Sequence, residues 1–333
     1  MSRNATKDLT TGSPMKLILG FGIPLLFGML FQQFYNMMDT IIVGKFLGVS
    51  ALASVGATGS INFMIIGFCM GVCNGFAIPV AQRFGAKDEH GMRKFVANSV
   101  WLSIIFAVVM AVLVCVFCRQ ILELMNTPED IIDGSYSYIF VIFLGIPATY
   151  MYNLLSGIMR SLGDSKTPLY LLIFSSILNI ILDLLSIIVL KMGVAGAAWA
   201  TVIAQAISGF CCLGVIWKKF PILHVQREEW QPDKLCILNL CNMGIPMGLQ
   251  YSITAIGSVI IQAAVNSLGS VAVASVAAAV KINMFLCCPY DAMGSTMATY
   301  AGQNVGAGKF DRLKQGEKSC TLLGLVYGIA AFI

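Results

Sequence analysis

Residues 169–190 read LYLLIFSSILNIILDLLSIIVL. Twenty-two residues built of Leu, Ile, Val, Phe and Ser are long enough to cross a hydrocarbon core of about 30 Å as one helix. Inside that run stand Asn179 and Asp183. A carboxylate near the middle of a membrane helix costs roughly 2.5–3.5 kcal/mol on insertion scales, so its retention needs a reason. Positions four apart share a helix face, which puts Ser175, Asn179 and Asp183 on one polar stripe. Two roles are open to such a stripe: a structural hydrogen bond to a neighbouring helix, or a site.

The rest of the chain belongs with this stretch. Of 333 residues, 58% are hydrophobic and 11% charged, against about 25% charged in an ordinary soluble domain. The composition implies an all-α polytopic membrane protein. Apolar runs of spanning length cover Leu17 to Val43, Ala51 to Val80, Phe95 to Cys118, Tyr136 to Ser156, Leu169 to Leu190, Val194 to Trp217, Leu235 to Val265 and Val271 to Ala301, and a ninth opens near Cys320.

Charge gives the orientation. Seventeen of the 21 Lys and Arg fall in the N-terminal tail and in the loops after the second, fourth, sixth and eighth spans, Arg160 and Lys166 among them; only Lys45, Arg119 and Lys191 lie in the opposite loops. The positive-inside rule then places the N-terminus and those loops on the cytoplasmic side of the membrane. A net charge of +5 is accounted for by anionic lipid and needs no nucleic-acid partner.

Several chemistries are disfavoured. Cys115 and Cys118 form a C-x-x-C, but no second pair stands at zinc spacing, and His90 and His224 lie in separate loops. There is no H-E-x-x-H, no G-x-S-x-G and no G-x-x-x-x-G-K-[ST] loop, so neither an enzyme nor ATP-driven pumping is expected, and no cofactor.

The chain repeats internally. Gly22-Ile23-Pro24 recurs as Gly244-Ile245-Pro246, and Gln82 with Gly85 recurs as Gln303 with Gly306, at an offset of 221 or 222 residues. The unit is six spans long and both copies start on the same side, giving two parallel six-helix repeats about an axis along the membrane normal. The expected division is an N-lobe over 1–217, a linker over 218–234 and a partial C-lobe over 235–333. Two full units need about 440 residues, so about eight and a half of twelve expected helices fall in this chain.

A second acid lies on the first span. Gln32, Asn36 and Asp39 are spaced four and three apart and are expected on one face. Asp39 sits about 6 Å from the outer end of its span, and Asp183 and Thr201 about 10 Å from theirs, at 1.5 Å per residue. One cluster of two carboxylates, an amide and a hydroxyl is therefore expected in the outer half of the N-lobe. Two such carboxylates cannot both ionise cheaply in low dielectric; a proton or a Na⁺ held by their oxygens relieves the repulsion. Pro24, Pro147, Pro246 and Pro289 mark expected helix hinges. Gly67, Gly71 and Gly75 recur every four residues as a close packing face. Lys281 and Asp291 lie inside the eighth span and are weaker candidates, with Gln32, for a substrate cleft.

Taken together, the loop Gly157-Ile-Met-Arg160-Ser-Leu-Gly163-Asp164-Ser-Lys166-Thr-Pro168, the Gly-Ile-Pro starts of the first and seventh spans, the Gly193-Val-Ala-Gly196 opening of the sixth and the Gln82 and Gln303 loops resemble the multidrug and toxic compound extrusion (MATE) family. The resemblance implies twelve helices in two lobes, a monomer, and cation-coupled export of small organic substrates by alternating access. It also implies, in its DinF-type branch, a cation site matched here by Asp39, Asn179, Asp183 and Thr201, with Asn36 as a neighbour and H⁺ or Na⁺ as the ion. The NorM-type branch carries a Glu where this chain has Thr254. The rival function is a flippase for lipid-linked oligosaccharide, whose cavity needs several cations; Lys281 is the lone basic residue inside the expected spans, which favours cationic or zwitterionic solutes. A channel stays open in principle.

Overall fold

The computed structural model of the chain describes residues 6–266 and 270–332, helical with no strand among them. The first span is α1 (Pro14–Leu47); the second is α2 (Val49–Ala57) with α3 (Gly59–Gly85); the third is α4 (Glu89–Val116), followed by the short α5 (Cys118–Leu124). The fourth is α6 (Ile132–Leu144) with α7 (Ile146–Ser161), the fifth α8 (Lys166–Leu184) and the sixth α9 (Val194–Lys219). Then come α10 (Lys234–Asn266), α11 (Ser270–Gly306) and α12 (Phe310–Phe332). Every expected span is helical, and the helices run beyond the apolar cores because capped polar turns continue them. Asp88 accepts from the Gly91 N–H at 2.8 Å to start α4, and Asp233 from the Leu235 and Cys236 N–H groups to start α10.

Among the described residues, five helices are long and apolar enough to cross a membrane, and six if the bent α6–α7 pair counts as one span. Their outward faces stay apolar: Ile104, Ile105, Val108, Val109 and Val112 of α4 are all exposed, a surface suited to lipid. α10 is less uniformly apolar, interrupted by Asn239, Asn242 and Gln250.

Packing pairs the two halves of the repeat. α10 lies along α3, α11 contacts both α1 and α3, and α8 packs between α1 and α9. The α3–α10 approach rests on glycines: a Cβ on Gly71 would lie 2.5 Å from the Met247 carbonyl oxygen, and one on Gly75 2.5 Å from the Gly244 Cα. The Gly67, Gly71 and Gly75 face is thus a packing face, as expected. At the end of the bundle where the basic loops gather, Gly85 abuts the Gln303 backbone and Gly306 abuts the Gln82 backbone. The contact is reciprocal under the 221-residue repeat.

A strap closes this basic end. The Lys7 N–H donates to the Leu162 carbonyl at 2.9 Å, and the Leu9 N–H to Gln303 Oε1 at 2.9 Å. Gln303 in turn donates to the Ser161 carbonyl, while Asn304 and Arg312 donate to the Leu9 carbonyl. Leu9 is buried with Ile18, Phe21, Leu25, Ala292 and Tyr300, a small core between α1 and α11, worth about 1.5–3 kcal/mol for the Leu side chain. Gly163, with φ +84, takes the tight turn beside Lys7, and Asp164 Oδ1 accepts from the Lys166 and Thr167 N–H groups to begin α8.

The expected hinges divide. The fourth span bends by 46° between α6 and α7, with Pro147 in the first turn of α7. Pro24, Pro246 and Pro289 lie within helices that run on unbroken. In the segment after α9, Glu229 is buried and receives both Arg93 Nε contacts at 2.9 Å, the Gln226 N–H at 2.8 Å and His90 Nδ1 at 2.9 Å. Burial pushes its carboxyl up, but these donors outweigh it and hold it below the usual glutamate range.

Candidate functional site

Three helices bring the expected cluster together. Asp183 and Asn179 lie four apart on α8, Asp39 comes from α1 and Thr201 from α9. Asp183, Asn179 and Asp39 are all buried. The Asp39 and Asp183 carboxyl groups are neighbours in this cluster, close enough to interact. Two ionised carboxylates can only accept, so that contact becomes a hydrogen bond when one of them carries a proton. The Thr201 hydroxyl accepts from Asn179 Nδ2 at 3.2 Å and donates to the Ala197 carbonyl at 3.2 Å.

Four oxygens of this cluster, Asp39 Oδ1, Asn179 Oδ1 and both carboxylate oxygens of Asp183, are buried without a hydrogen-bond partner, out of nine such side-chain atoms among the described residues. Each unpaired buried polar atom costs about 1–3 kcal/mol. Together they form one patch of buried acceptors able to take a partner of opposite polarity. Oxygen donors of this kind, three of them from carboxyl groups, suit a proton or a hard cation such as Na⁺.

Tyr35 belongs to the cluster and was not singled out by the sequence. Its hydroxyl donates to Thr201 Oγ1 at 3.1 Å. It stands four residues before Asp39, and that i,i+4 relation was the available signal. Buried Tyr138 on α6 is close enough to both acids to interact with them. The two other polar residues expected on the α1 face fare differently. Asn36 is exposed, Gln32 is half-buried, and neither side chain bonds to the cluster. Tyr35 and Asn36 flank the Asp39 direction on opposite sides of the helix, and the helix turns the Tyr35 side inward. Immediately after Asp183 the backbone widens into a π-turn over Leu185–Val189, a local irregularity that accompanies many functional sites.

A second polar feature lies between the two halves of the repeat. A cavity of about 260 Å³ is lined by Asn74 and Ala77 of α3, Arg160 of α7, Gln250 and Tyr251 of α10, and Asp291 of α11. Asp291, expected at a substrate cleft, lines this cavity. Lys281 lies on α11 with its side chain outside the described residues. Arg160, expected in a loop, is in the last turn of α7, because that helix continues five residues past the apolar run.

The MatE family model matches residues 24–185 and 246–333. The chain is 32% identical over 305 residues to the probable multidrug resistance protein YoeA of Bacillus subtilis, covering 89% of this chain and 65% of that one. It is 30% identical over 308 residues to YpnP of the same organism, also a probable multidrug resistance protein, covering 92% and 68%. The chain thus spans about two thirds of the length of these relatives. A crystal structure of a MATE protein in complex with MaL6 superposes with a TM-score of 0.91 at 24% identity, over 99% of this chain and 73% of that one. The fold is shared.

Proposed function

The chain belongs to the MatE family, and on that premise we propose that it is a secondary active exporter of small organic molecules. The ion exchanged is H⁺ or Na⁺, taken at Asp39 and Asp183, with Asn179 and Thr201 supplying neutral oxygens and Tyr35 fixing the Thr201 hydroxyl. The observation that carries this reading is the pair of buried, neighbouring carboxyl groups beside unpartnered oxygens. Loading one cation there removes the charge repulsion and satisfies oxygens that burial leaves bare. A cation entering down a membrane potential brings roughly 2.3 kcal/mol per 100 mV, enough to drive export when ion and substrate occupancy exclude each other.

In this account 1–217 forms one lobe and 235–333 part of the other, and the two rock about the cleft between them. The basic end is cytoplasmic in a bacterial inner membrane, and it is shut here by the 7–10 strap and the Gly85 and Gly306 contacts. Ethidium efflux from cells producing the full-length protein tests the assignment. Asp183→Asn is expected to reduce efflux at least tenfold with membrane yield unchanged, and omission of Na⁺ from the medium identifies the ion. Efflux equal to the parent's would remove Asp183 from coupling.

A further inference from the structure

We propose, resting on the transporter reading, that the cavity between α3, α7, α10 and α11 is a bipolar seat in which Arg160 holds an anionic oxygen group of the substrate and Asp291 its cationic nitrogen. The chemical class is a zwitterion bearing a carboxylate.

The first support is the direction of Arg160. A basic residue in the last turn of a membrane helix ordinarily extends toward water and headgroups. Arg160 turns inward, donating to Asn74 Oδ1 at 3.0 Å. Asn74 stands eleven residues before the end of α3 at Gly85, about 16 Å along the helix.

The second is the lack of a counter-charge. The chain's ion pairs use Arg83, His90, Arg93, Lys94 and Arg119, and none among the described residues uses Arg160. A guanidinium offers five N–H donors in a planar fork matched to a carboxylate. Asn74 takes one of them, so the rest of the fork is available to a ligand.

The third is the opposite wall. Asp291 lines the same cavity from α11, and among the described residues it makes no ion pair and no hydrogen bond. Tyr251 lines the same cavity as the two charged residues. Arg160 and Asn74 belong to the first repeat, Tyr251 and Asp291 to the second. A ligand of matching polarity therefore ties the two halves together, and one lacking the anionic group leaves Arg160 unanswered.

The test uses two fluorescent dyes that differ at one group: rhodamine 6G, a cationic ethyl ester, and its parent acid rhodamine 19, a zwitterion. Efflux of each is measured from cells producing the full-length protein, Arg160→Gln, Arg160→Lys or Asp291→Asn, at matched membrane yield. Arg160→Gln is expected to cut rhodamine 19 efflux at least tenfold and to leave rhodamine 6G within twofold. Arg160→Lys is expected to restore part of the loss, and Asp291→Asn to weaken both dyes. Equal losses for both dyes in Arg160→Gln would make Arg160 a structural partner of Asn74 and overturn the proposal, as would unchanged rhodamine 19 efflux, or a parent that exports the ester but not the acid. In each of those cases rhodamine 6G efflux by the parent leaves the exporter reading standing. A parent that exports neither dye would overturn both.

Discussion

Alanine at the crossing of α3 and α11 is expected to open the basic end of the molecule. A Cβ added to Gly85 would lie 2.6 Å from the Gln303 carbonyl carbon and 2.7 Å from its Cα, and one added to Gly306 2.6 Å from the Gln82 carbonyl carbon and 2.9 Å from its Cα. All of these are backbone atoms, so no rotamer change relieves the contact. The helices must part until the contacts reach the 3.4 Å at which ordinary packing begins, and overpacking of this kind costs about 1–3 kcal/mol. Because that cost falls on the closed form alone, it shifts the balance toward the open form by about 5- to 150-fold. Hydrogen exchange at the Leu9 amide reports the shift directly, since its N–H is held by Gln303 and exchanges when the strap lets go. Gly85→Ala and Gly306→Ala are each expected to accelerate Leu9 exchange within that range and to slow efflux. Gln303→Ala, which removes the acceptor itself, sets the upper limit. Parental exchange rates in both alanine variants, with Gln303→Ala fast, would refute the idea that the glycine contacts hold this end shut.

Two other outcomes follow from the geometry. Thr201→Val removes the hydroxyl that accepts from Tyr35 and Asn179; ion-coupled efflux is expected to fall about tenfold in ethidium assays, and Thr201→Ser to keep most of it. Glu229→Gln is expected to loosen the segment after α9 by about 1.5–3 kcal/mol, the worth of hydrogen bonds to a charged group, read as faster tryptic cleavage at Arg227. The Glu229 carboxyl is held below its ordinary value of 4.5, so its contribution is fully present above about pH 4.5 and is lost as pH falls through the lower folded value. Arg93, the His90 imidazole and, one turn from Arg93, Glu89 are the charged or titratable groups that face it or its partner.

The helices and the cluster acids were legible because membrane segments leave a strong signal: a long apolar run, with Asp183 conspicuous inside it. The repeat was legible for a related reason, since Gln82 and Gln303 occupy equivalent places at equivalent crossings. Tyr35 was not, because a tyrosine in an apolar run is ordinary, and only the fold shows which side of α1 turns inward. Arg160 was read as a loop residue because a charge after an apolar run ordinarily marks the membrane surface; α7 instead carries it on and back toward Asn74. The strap over residues 7–10 has no periodicity to read, since its bonds run to groups nearly three hundred residues away. Among the four prolines, sequence gives the potential to bend, and neighbouring packing decides that the break falls at Gly145, beside Pro147.

The most direct test of the central claim is ion-driven transport in proteoliposomes holding the full-length protein, with Na⁺ and H⁺ gradients imposed separately and ethidium movement followed against its own gradient. The account predicts that one of the two gradients drives ethidium and that Asp39→Asn and Asp183→Asn each abolish the driven component. Driven transport at the parent's rate in either variant would contradict it.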